Sequence, residues 1–275
     1  MLRLLCVLAL VLPRVVLAKC AMESLSVWPS PSQPLPANGQ IVLEGFGRLQ
    51  ESVASLARSA PRLVAEQDEV PLRVLAVYPG QRQVTQAVLR PERPLRPGLR
   101  YTLRLTPPGD SKLRPLPAEA WSGEQYVPIA WTVGSEDVSP PRWRQAPGWL
   151  SESVERMGCG PEIFVHVSAG VEDEGSQVQV LAELRNVSGG EPVRFRVTPR
   201  EGQVALGRDM CGGPFQFEEG QRYTARLIAV DMAGNETPAP GDAVPFEGPK
   251  GARGLPPAPP ERVLETIKSM LKPNP

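Results

Sequence analysis

One eight-residue phrase occurs twice in this chain, and it constrains the fold more than any other feature. Residues 98–105 read GLRYTLRL and residues 220–227 read GQRYTARL, so six of the eight letters agree at an offset of 122 residues. Two further pairs of segments repeat in the same order and at nearly the same offset: 40–44 with 162–166, and 71–74 with 192–195. Three anchors in one order predict two similar domains of about 110 residues, each large enough to hold its own core.

Apolar and polar residues alternate within each repeat. In PVRFRVT, residues 192–198, three apolar side chains face one way while Arg194 and Arg196 face the other. Residues 177–184 alternate in the same manner, and turn signals rich in glycine and proline separate such segments. The predicted fold class is therefore all-β, with two tandem antiparallel β-sandwich domains followed by a short C-terminal helix.

The composition argues against several classes of protein. The 33 prolines in 275 residues disfavour a helix bundle. Thirty basic and thirty acidic side chains give no net charge, so no basic surface for nucleic acid or for an anionic membrane is expected. Arginine outnumbers lysine 25 to 5, which indicates GC-rich coding in a bacterium.

The N-terminus has the pattern of a signal peptide over residues 1–18. Arg3 precedes an apolar run over residues 4–12, and residues 16–18 (VLA) match the small-residue cleavage pattern. The run is too short to span a bilayer, and no later stretch reaches the required length, so a secreted or periplasmic protein without a transmembrane span is predicted. An alternative remains open, because residues 17–20 (LAKC) resemble a lipoprotein box that would anchor the chain through Cys20, although Lys19 stands where a small residue belongs.

The cysteines predict one disulfide. Removal of the signal peptide takes Cys6 away and leaves three, an odd count that suggests one bridge and one spare thiol in an oxidising compartment. Cys159 and Cys211 lie in the second repeat and are the predicted pair, while a pairing with Cys20 stays open. One histidine and no close cysteine spacing predict no metal site.

The duplicated phrase belongs to a longer pattern with a known structural role. Two sets of residues share the spacing of a hydrophobic residue, a glycine and a tyrosine: Leu95, Gly98 and Tyr101, and Phe217, Gly220 and Tyr223. Both resemble the tyrosine corner of fibronectin type III and immunoglobulin-like domains. The resemblance implies that each tyrosine begins strand F and bonds through its hydroxyl to the upstream backbone, while the glycine permits a tight corner.

The resemblance extends past the second corner. Residues 227–238 (LIAVDMAGNETP) resemble the end of strand F and the hairpin to strand G. It implies that Asp231 folds its carboxylate back on the turn and that Gly234 and Asn235 supply positive φ angles. In the first repeat a longer proline-rich connection replaces this hairpin, and the last strand is predicted at residues 126–133.

The predicted organisation has six parts: a signal peptide (1–18), a first sandwich (19–134), an interdomain connection (135–157), a second sandwich (158–248), a Pro/Gly-rich linker (249–260) and an amphipathic helix (261–272). An insertion at residues 49–58 has apolar residues at helical spacing and predicts a short helix over the edge of the first sandwich; a partner site is the alternative. The C-terminal helix is expected to dock either on its own domain or on a partner.

No catalytic constellation is predicted. The single histidine, His166, aligns with Glu44 in the middle of a strand and is expected to face solvent rather than act as a base. The acidic run at residues 172–175 is interpreted as a solvated turn, and no cofactor is expected. An exported, non-enzymatic binding, structural or assembly protein of the bacterial cell envelope is predicted, with an envelope protein or polysaccharide as its partner.

Two rivals to this function remain. A carbohydrate-binding or adhesive module would use exposed aromatic residues around Trp121, Trp143 and Trp149, two of which lie in the predicted connection. An enzyme without a familiar motif is the second rival, although the sequence offers no clustered acid and base.

Overall fold

The computed structural model describes residues 23–106, 113–121, 125–157 and 160–251. The predicted signal peptide, the amphipathic helix, nearly all of the linker, Cys20 and Cys159 lie outside these residues. Within the described residues the chain is nearly all β, and no helix has the length and apolar character needed to cross a membrane.

The described residues of the N-terminal unit, within 24–133, form nine strands: β1 (Ser24–Trp28), β2 (Ile41–Phe46), β3 (Arg62–Ala65), β4 (Asp68–Pro79), β5 (Val84–Pro91), β6 (Arg100–Arg104), β7 (Glu119–Trp121), β8 (Tyr126–Pro128) and β9 (Ala130–Thr132). Seven of them form one antiparallel sheet in the order β1-β2-β5-β4-β3-β6-β9. Strands β8 and β9 fall in the predicted last strand, and β9 pairs with β6 while β7 and β8 form a hairpin.

Strand β4 bends this single sheet into two layers. Its first residues pair with β3 and the remainder pair with β5. The register shifts between Val74 and Ala76, and a bulge of this kind bends and twists a strand. The sheet thereby folds around a core that includes Ile41, Leu63 and Trp131, all fully buried.

The insertion in the first repeat forms a short helix, as predicted. Helix α1 (Leu49–Ala54) is followed by a 3-10 turn at Leu56–Arg58. Leu49, Val53 and Leu56 are buried in the core of the N-terminal unit. Gly45 of β2 permits this close packing, because a Cβ there would lie 2.7 Å from the Leu49 carbonyl oxygen. The insertion therefore completes a core and offers no apolar face to a partner.

The C-terminal unit, residues 149–247, has two facing sheets. Its strands are β11 (Trp149–Met157), β12 (Gly160–Ser168), β14 (Gln179–Asn186), β15 (Val193–Val197), β16 (Gln203–Arg208), β17 (Arg222–Val230), β18 (Glu236–Pro238) and β19 (Val244–Glu247). One sheet has the order β11-β12-β16. In the other, β15, β14 and β17 lie side by side, while β18 and β19 pair with successive parts of β17. This strand order is that of an immunoglobulin-like or fibronectin type III-like sandwich.

Two strands lie in the segment predicted as a connection, residues 135–157. Strand β10 (Arg142–Trp143) pairs with β13 (Val171–Glu172), and β11 pairs along most of β12. Residues 149–157 therefore lie in the same sheet as β12. Because β11 is an edge strand whose side chains are mostly exposed, it lacks the apolar alternation on which the sequence interpretation relied.

The two units contact each other along a junction with a backbone bridge. Arg82 and Gly213 exchange two hydrogen bonds, of 3.1 and 2.8 Å between nitrogen and oxygen. The Gln81 N–H donates to the Pro214 carbonyl at 3.0 Å, and the Gln81 side-chain oxygen accepts from the Gln216 N–H at 2.6 Å. Backbone hydrogen bonds have fixed geometry, so this contact favours one orientation of the two units.

A second part of the junction uses the amide of Gln86. Its Nε2 donates to the Arg196 carbonyl at 2.9 Å, and its Oε1 accepts from the Arg196 N–H at 3.0 Å. The Gln86 amide thus pairs with the backbone of β15 as a residue of a neighbouring strand would. Next to it, the Gln40 N–H donates to the Met232 carbonyl at 2.6 Å, and Met232 joins a small apolar cluster with Trp28, Val42 and Val88.

Candidate binding cleft

A cleft with a volume of about 800 Å³ lies between the two units. One wall is the outer face of β1, β2 and β5, and the other is formed by β12, β15 and β16. Along β2, Ile41 and Leu43 face the core, so the alternating residues Val42, Glu44 and Phe46 face the cleft. The volume lies in the range of small-molecule sites.

His166 and Phe164 line the opposite wall. Their neighbours on β12 are buried in the core of the C-terminal unit, so alternation directs both rings outward into the cleft. His166 is half-buried, which corrects the prediction that it faces solvent. Its Nε2 lies 3.3 Å from the Ser153 hydroxyl oxygen, while its Nδ1 has no hydrogen-bond partner within the described residues. In a Ser–His–Asp triad an acidic group accepts a hydrogen bond from the second ring nitrogen of the histidine, and no described residue does so at His166 Nδ1.

Glu44 also lines the cleft. Its Oε2 accepts a hydrogen bond from Gln86 Nε2 at 2.8 Å, the same nitrogen that donates to Arg196. Burial raises the pKa of Glu44, and the hydrogen bond from Gln86 offsets only part of this effect. The carboxyl group therefore becomes neutral at a higher pH than an exposed glutamate would.

Arg196 forms the basic end of the cleft. Its side chain was predicted to face the side opposite to the apolar residues of the strand, and the N-terminal unit covers it there, which leaves the residue only 4% exposed. Its Nη2 donates to Gln40 Oε1 at 3.0 Å, whereas Nε and Nη1 have no partner in the described part of the chain. Desolvation lowers the pKa of this guanidinium.

Three carboxylates meet at a second place near the junction. The oxygens of Asp137, Asp173 and Asp231 lie within 4.8 Å of one another. Asp231 is fully buried, and its pKa is raised first by that burial and further by the charge of Asp137. Carboxylate oxygens are the ligands that hard divalent cations take in proteins. The sequence did not predict this group, because its members come from three distant segments.

The predicted acidic turn is visible around one member of this group. The Oδ1 of Asp173 accepts hydrogen bonds from the N–H groups of Gly175 and Ser176, at 2.9 and 3.0 Å. Its Oδ2 is buried and has no partner among the residues described. The run is therefore a turn whose single aspartate lies close to the other carboxylates.

The first predicted corner brings Tyr101 against two partners. Its hydroxyl accepts a hydrogen bond from the Arg96 N–H at 3.3 Å and donates to the Asp68 carboxylate. Leu95 is buried in the core of the N-terminal unit, and Gly98 has a φ of 82°. The hydroxyl therefore ties the start of β6 to the chain five residues upstream and to β4.

The second corner is simpler. The Tyr223 hydroxyl accepts a hydrogen bond from the Glu218 N–H at 2.9 Å, again five residues upstream. Phe217 packs edge-on against Tyr223 with 5.4 Å between ring centroids, and Gly220 has a φ of 73°. The two corners share their backbone geometry and differ in the carboxylate that the first one adds.

The hairpin residues form a turn that touches the N-terminal unit. Asp231 Oδ1 accepts from the Asn235 N–H at 2.8 Å, and its Oδ2 accepts from the Asn235 side-chain amide at 2.7 Å. Gly234 has a φ of 84°, whereas Asn235 does not adopt a positive φ, contrary to what the resemblance implied. The Asn235 side chain instead donates to Asp231 and to the Asp137 carbonyl.

The other residues singled out in the sequence are the tryptophans of the carbohydrate-binding alternative and the predicted cysteine pair. Trp143 Nε1 donates to the Thr237 carbonyl at 2.9 Å, so this half-buried indole belongs to the packing of the C-terminal unit. Trp149 is 50% exposed. Cys211 lies in the loop after β16, and its predicted partner Cys159 is outside the described residues, so their pairing stays a prediction.

No protein-family model matches the chain, and no curated protein matches it significantly. Similar solved structures include a type I pullulanase from Bacillus subtilis complexed with maltose (14% identity, 75% of this chain and 24% of that one, TM-score 0.22). Others are the FN1–FN3 domains of chicken CNTN1 (10%, 82% and 65%, TM-score 0.24) and the N-terminal part of the bacterial S-layer protein SbsC (11%, 82% and 44%, TM-score 0.25). The chain spans less than two thirds of each, and at these TM-scores the likenesses carry no inference.

Proposed function

We propose that this chain is an exported, non-enzymatic binding, structural or assembly protein of the bacterial cell envelope, built from two tandem immunoglobulin-like domains. The junction is the observation that supports this proposal. The bridge between Arg82 and Gly213 and the paired hydrogen bonds of Gln86 favour one relative orientation of the two sandwiches. A component that spaces or positions other molecules benefits from such rigidity, because little orientational freedom is lost on binding.

Export is tested at the N-terminus. The full-length gene is expressed in its native host or a related bacterium, and the mature protein is recovered by fractionation. Cleavage after Ala18 gives a mass that begins at Lys19, whereas lipidation gives an acylated Cys20 as the first residue. A cytoplasmic chain that retains residues 1–18 would overturn the exported role.

The envelope partner is tested by cosedimentation of the mature protein with envelope fragments. We expect binding that is lost when the fragments are treated with protease, which indicates a protein partner. Deletion of residues 249–275 then decides whether the predicted helix at 261–272 provides the contact. Absence of binding to any envelope fragment would contradict the proposal.

The carbohydrate-binding alternative is supported by one exposed aromatic residue. Trp149 is 50% exposed and Leu150 beside it is 47% exposed, both on the edge strand β11. A screen of polysaccharides with the intact protein and with Trp149→Ala distinguishes the two functions, and Trp143→Ala is not suitable because that indole is part of the packing. A polysaccharide bound by the intact protein and lost in Trp149→Ala would favour the alternative.

A further inference from the structure

Two residues that line the cleft, Trp28 and Arg196, have buried N–H donors without an acceptor. These donors are the indole Nε1 of Trp28 and the Nε and Nη1 of Arg196, and the Nε of Arg90, which is outside the cleft lining, is also unpaired; none has a hydrogen-bond partner in the part of the chain that the structure describes. Trp28 is 8% exposed and Arg196 is 4% exposed, and both line the cleft. A buried donor left unpaired costs about 1–3 kcal/mol, and more when it is charged.

The strand register explains why these donors lie together. Trp28 on β1 pairs with Val42 on β2, and both pack with Met232 in one apolar cluster. The Gln40 N–H donates to the Met232 carbonyl, and the Gln40 side chain accepts from Arg196. The indole and the guanidinium therefore both lie next to the contact between Gln40 and Met232.

The charges at this place are not balanced by ion pairs. Among the described residues, neither Arg196 nor Arg90 has a carboxylate oxygen within 4.0 Å. The carboxylates of Glu236 and Asp231 act on Arg196 only at longer range, and Asp231 is hydrogen-bonded to Asn235. A buried guanidinium without a carboxylate partner is costly, so a ligand that brings a negative charge would be stabilised here.

We propose that this end of the cleft binds the carboxylate of a small organic acid, with Arg196 and the Trp28 indole N–H as donors. A guanidinium suits a carboxylate because its planar array presents several N–H groups to the oxygens. The volume of about 800 Å³ exceeds what an inorganic ion requires, and the rings of Phe46 and Phe164 also line the cleft. The body of the ligand, an acidic sugar or an aromatic acid, lies against these rings.

Calorimetric titration of the mature protein tests the ligand class. The probes are galacturonate and benzoate as acids, galactose as the neutral match of galacturonate, and inorganic phosphate. We expect saturable binding of at least one acid, with galactose weaker by about tenfold or more. Tighter binding of galacturonate assigns an acidic sugar, and tighter binding of benzoate assigns an aromatic acid. Binding of phosphate alone, equal binding of galactose and galacturonate, or no binding would overturn the proposal.

Three variants test the residues. Arg196→Met keeps the aliphatic stem and removes the donors, and we expect it to weaken binding of the acid by about tenfold or more. Trp28→Phe removes the indole N–H and should weaken binding of the acid several-fold without changing the charge of the site. Arg194→Met is the matched control, because Arg194 lies on the same strand, is exposed, and pairs with Glu183.

The outcome of these variants is decisive even where folding is affected. If Arg196→Met disturbs the junction and lowers the melting temperature, Trp28→Phe alone decides the assignment. If the acid binds the Trp28→Phe and Arg194→Met variants equally well, the assignment of the site is wrong. The inference goes beyond the proposed envelope role, since a structural component needs no small ligand, and the cosedimentation experiment can fail or succeed without changing this result.

Discussion

Tyr101 and Tyr223 occupy equivalent corners but form different numbers of hydrogen bonds. Tyr223 accepts one from a backbone N–H, whereas Tyr101 accepts one and also donates to Asp68. Asp68 in turn accepts from Arg93, so the first corner is part of a network that joins β4, β6 and the loop before β6. The same sequence pattern therefore contributes unequally to the stability of the two units.

Replacing each tyrosine with phenylalanine measures this difference. Tyr223→Phe removes one hydrogen bond and should lower the free energy of unfolding by about 1 kcal/mol. Tyr101→Phe also leaves Asp68 without one of its donors, so a larger loss of about 2–3 kcal/mol is expected. Chemical denaturation of the two variants provides the comparison, and equal losses would contradict a contribution from Asp68.

The carboxylate of Asp68 also predicts a response to acid. Hydrogen bonds from Arg93, first, and from Tyr101 lower its pKa from 3.8 to about 2. Because the folded protein holds this proton less tightly than the unfolded chain does, the stabilisation is present above about pH 4 and is lost as the pH falls toward 2.

Asp68→Asn tests this response. The variant should be less stable than the intact protein at pH 7, and the difference between them should shrink between pH 4 and pH 2. Thermal unfolding across this range is the measurement. A constant difference at every pH would show that the amide disrupts packing and that protonation of Asp68 is not the cause.

At the scale of elements, glycines mark the two kinds of turn. Gly220 at the second corner and Gly234 in the β17–β18 hairpin both have positive φ angles. A Cβ on Gly220 would have nothing within 4 Å, whereas one on Gly234 would overlap with the side-chain amide of Gln40. The first glycine is required by backbone conformation alone, and the second also by contact with the N-terminal unit.

This contrast predicts two different outcomes for alanine. Gly220→Ala should cost about 1–2 kcal/mol, which is the strain of a left-handed alanine. Gly234→Ala should cost more and should also loosen the junction, so cleavage by a protease between the units should accelerate only in this variant. Similar protease sensitivity in both variants would argue against a packed hairpin at the junction.

The predicted disulfide also belongs to this scale. Gly160, the residue after Cys159, lies near the loop that holds Cys211, since a Cβ on it would be 3.4 Å from the Met210 carbonyl oxygen. We expect Cys159 and Cys211 to be joined in the exported protein, which closes a loop worth about 4 kcal/mol in the chain-entropy model. Peptide mapping without reduction checks the pairing, and a peptide that joins Cys20 to either cysteine would refute it.

For the whole molecule, the junction decides whether the two units unfold together. The Gln86 amide satisfies both backbone groups of Arg196, and removing it leaves an N–H and a carbonyl unpaired at a buried position. The bridge at Arg82 and the Met232 cluster hold the units at two other places. These contacts favour a single cooperative transition for the intact protein.

Gln86→Ala leaves the N–H and the carbonyl of Arg196 unpaired. We expect this to weaken the interaction between the two units by about 1–3 kcal/mol. We expect calorimetry to show one transition for the intact protein and a broadened or divided transition for the variant. Gln216→Ala is a useful control, because only its backbone N–H takes part in the junction and its substitution should leave the transition intact. A divided transition in the intact protein would contradict cooperative unfolding.

Local patterns in the sequence predicted the β architecture, the helix at residues 49–58 and the positions of the corner residues. Each depends on neighbours close along the chain: period-two alternation defines a strand, apolar residues at helical spacing define the insertion, and glycine tolerates the left-handed corner. Strand β11 was not predicted, because an edge strand with exposed side chains has no such pattern.

Only the tertiary structure decided the cleft and the charges within it. Arg194 and Arg196 have the same alternation, yet Arg194 is exposed and Arg196 is buried, because the N-terminal unit packs over one of them. The carboxylates of Asp137, Asp173 and Asp231 meet for the same reason, from segments far apart in the chain. Alternation specifies which side of a strand a residue takes, but the packing of two separate units determines which of those sides remains in water.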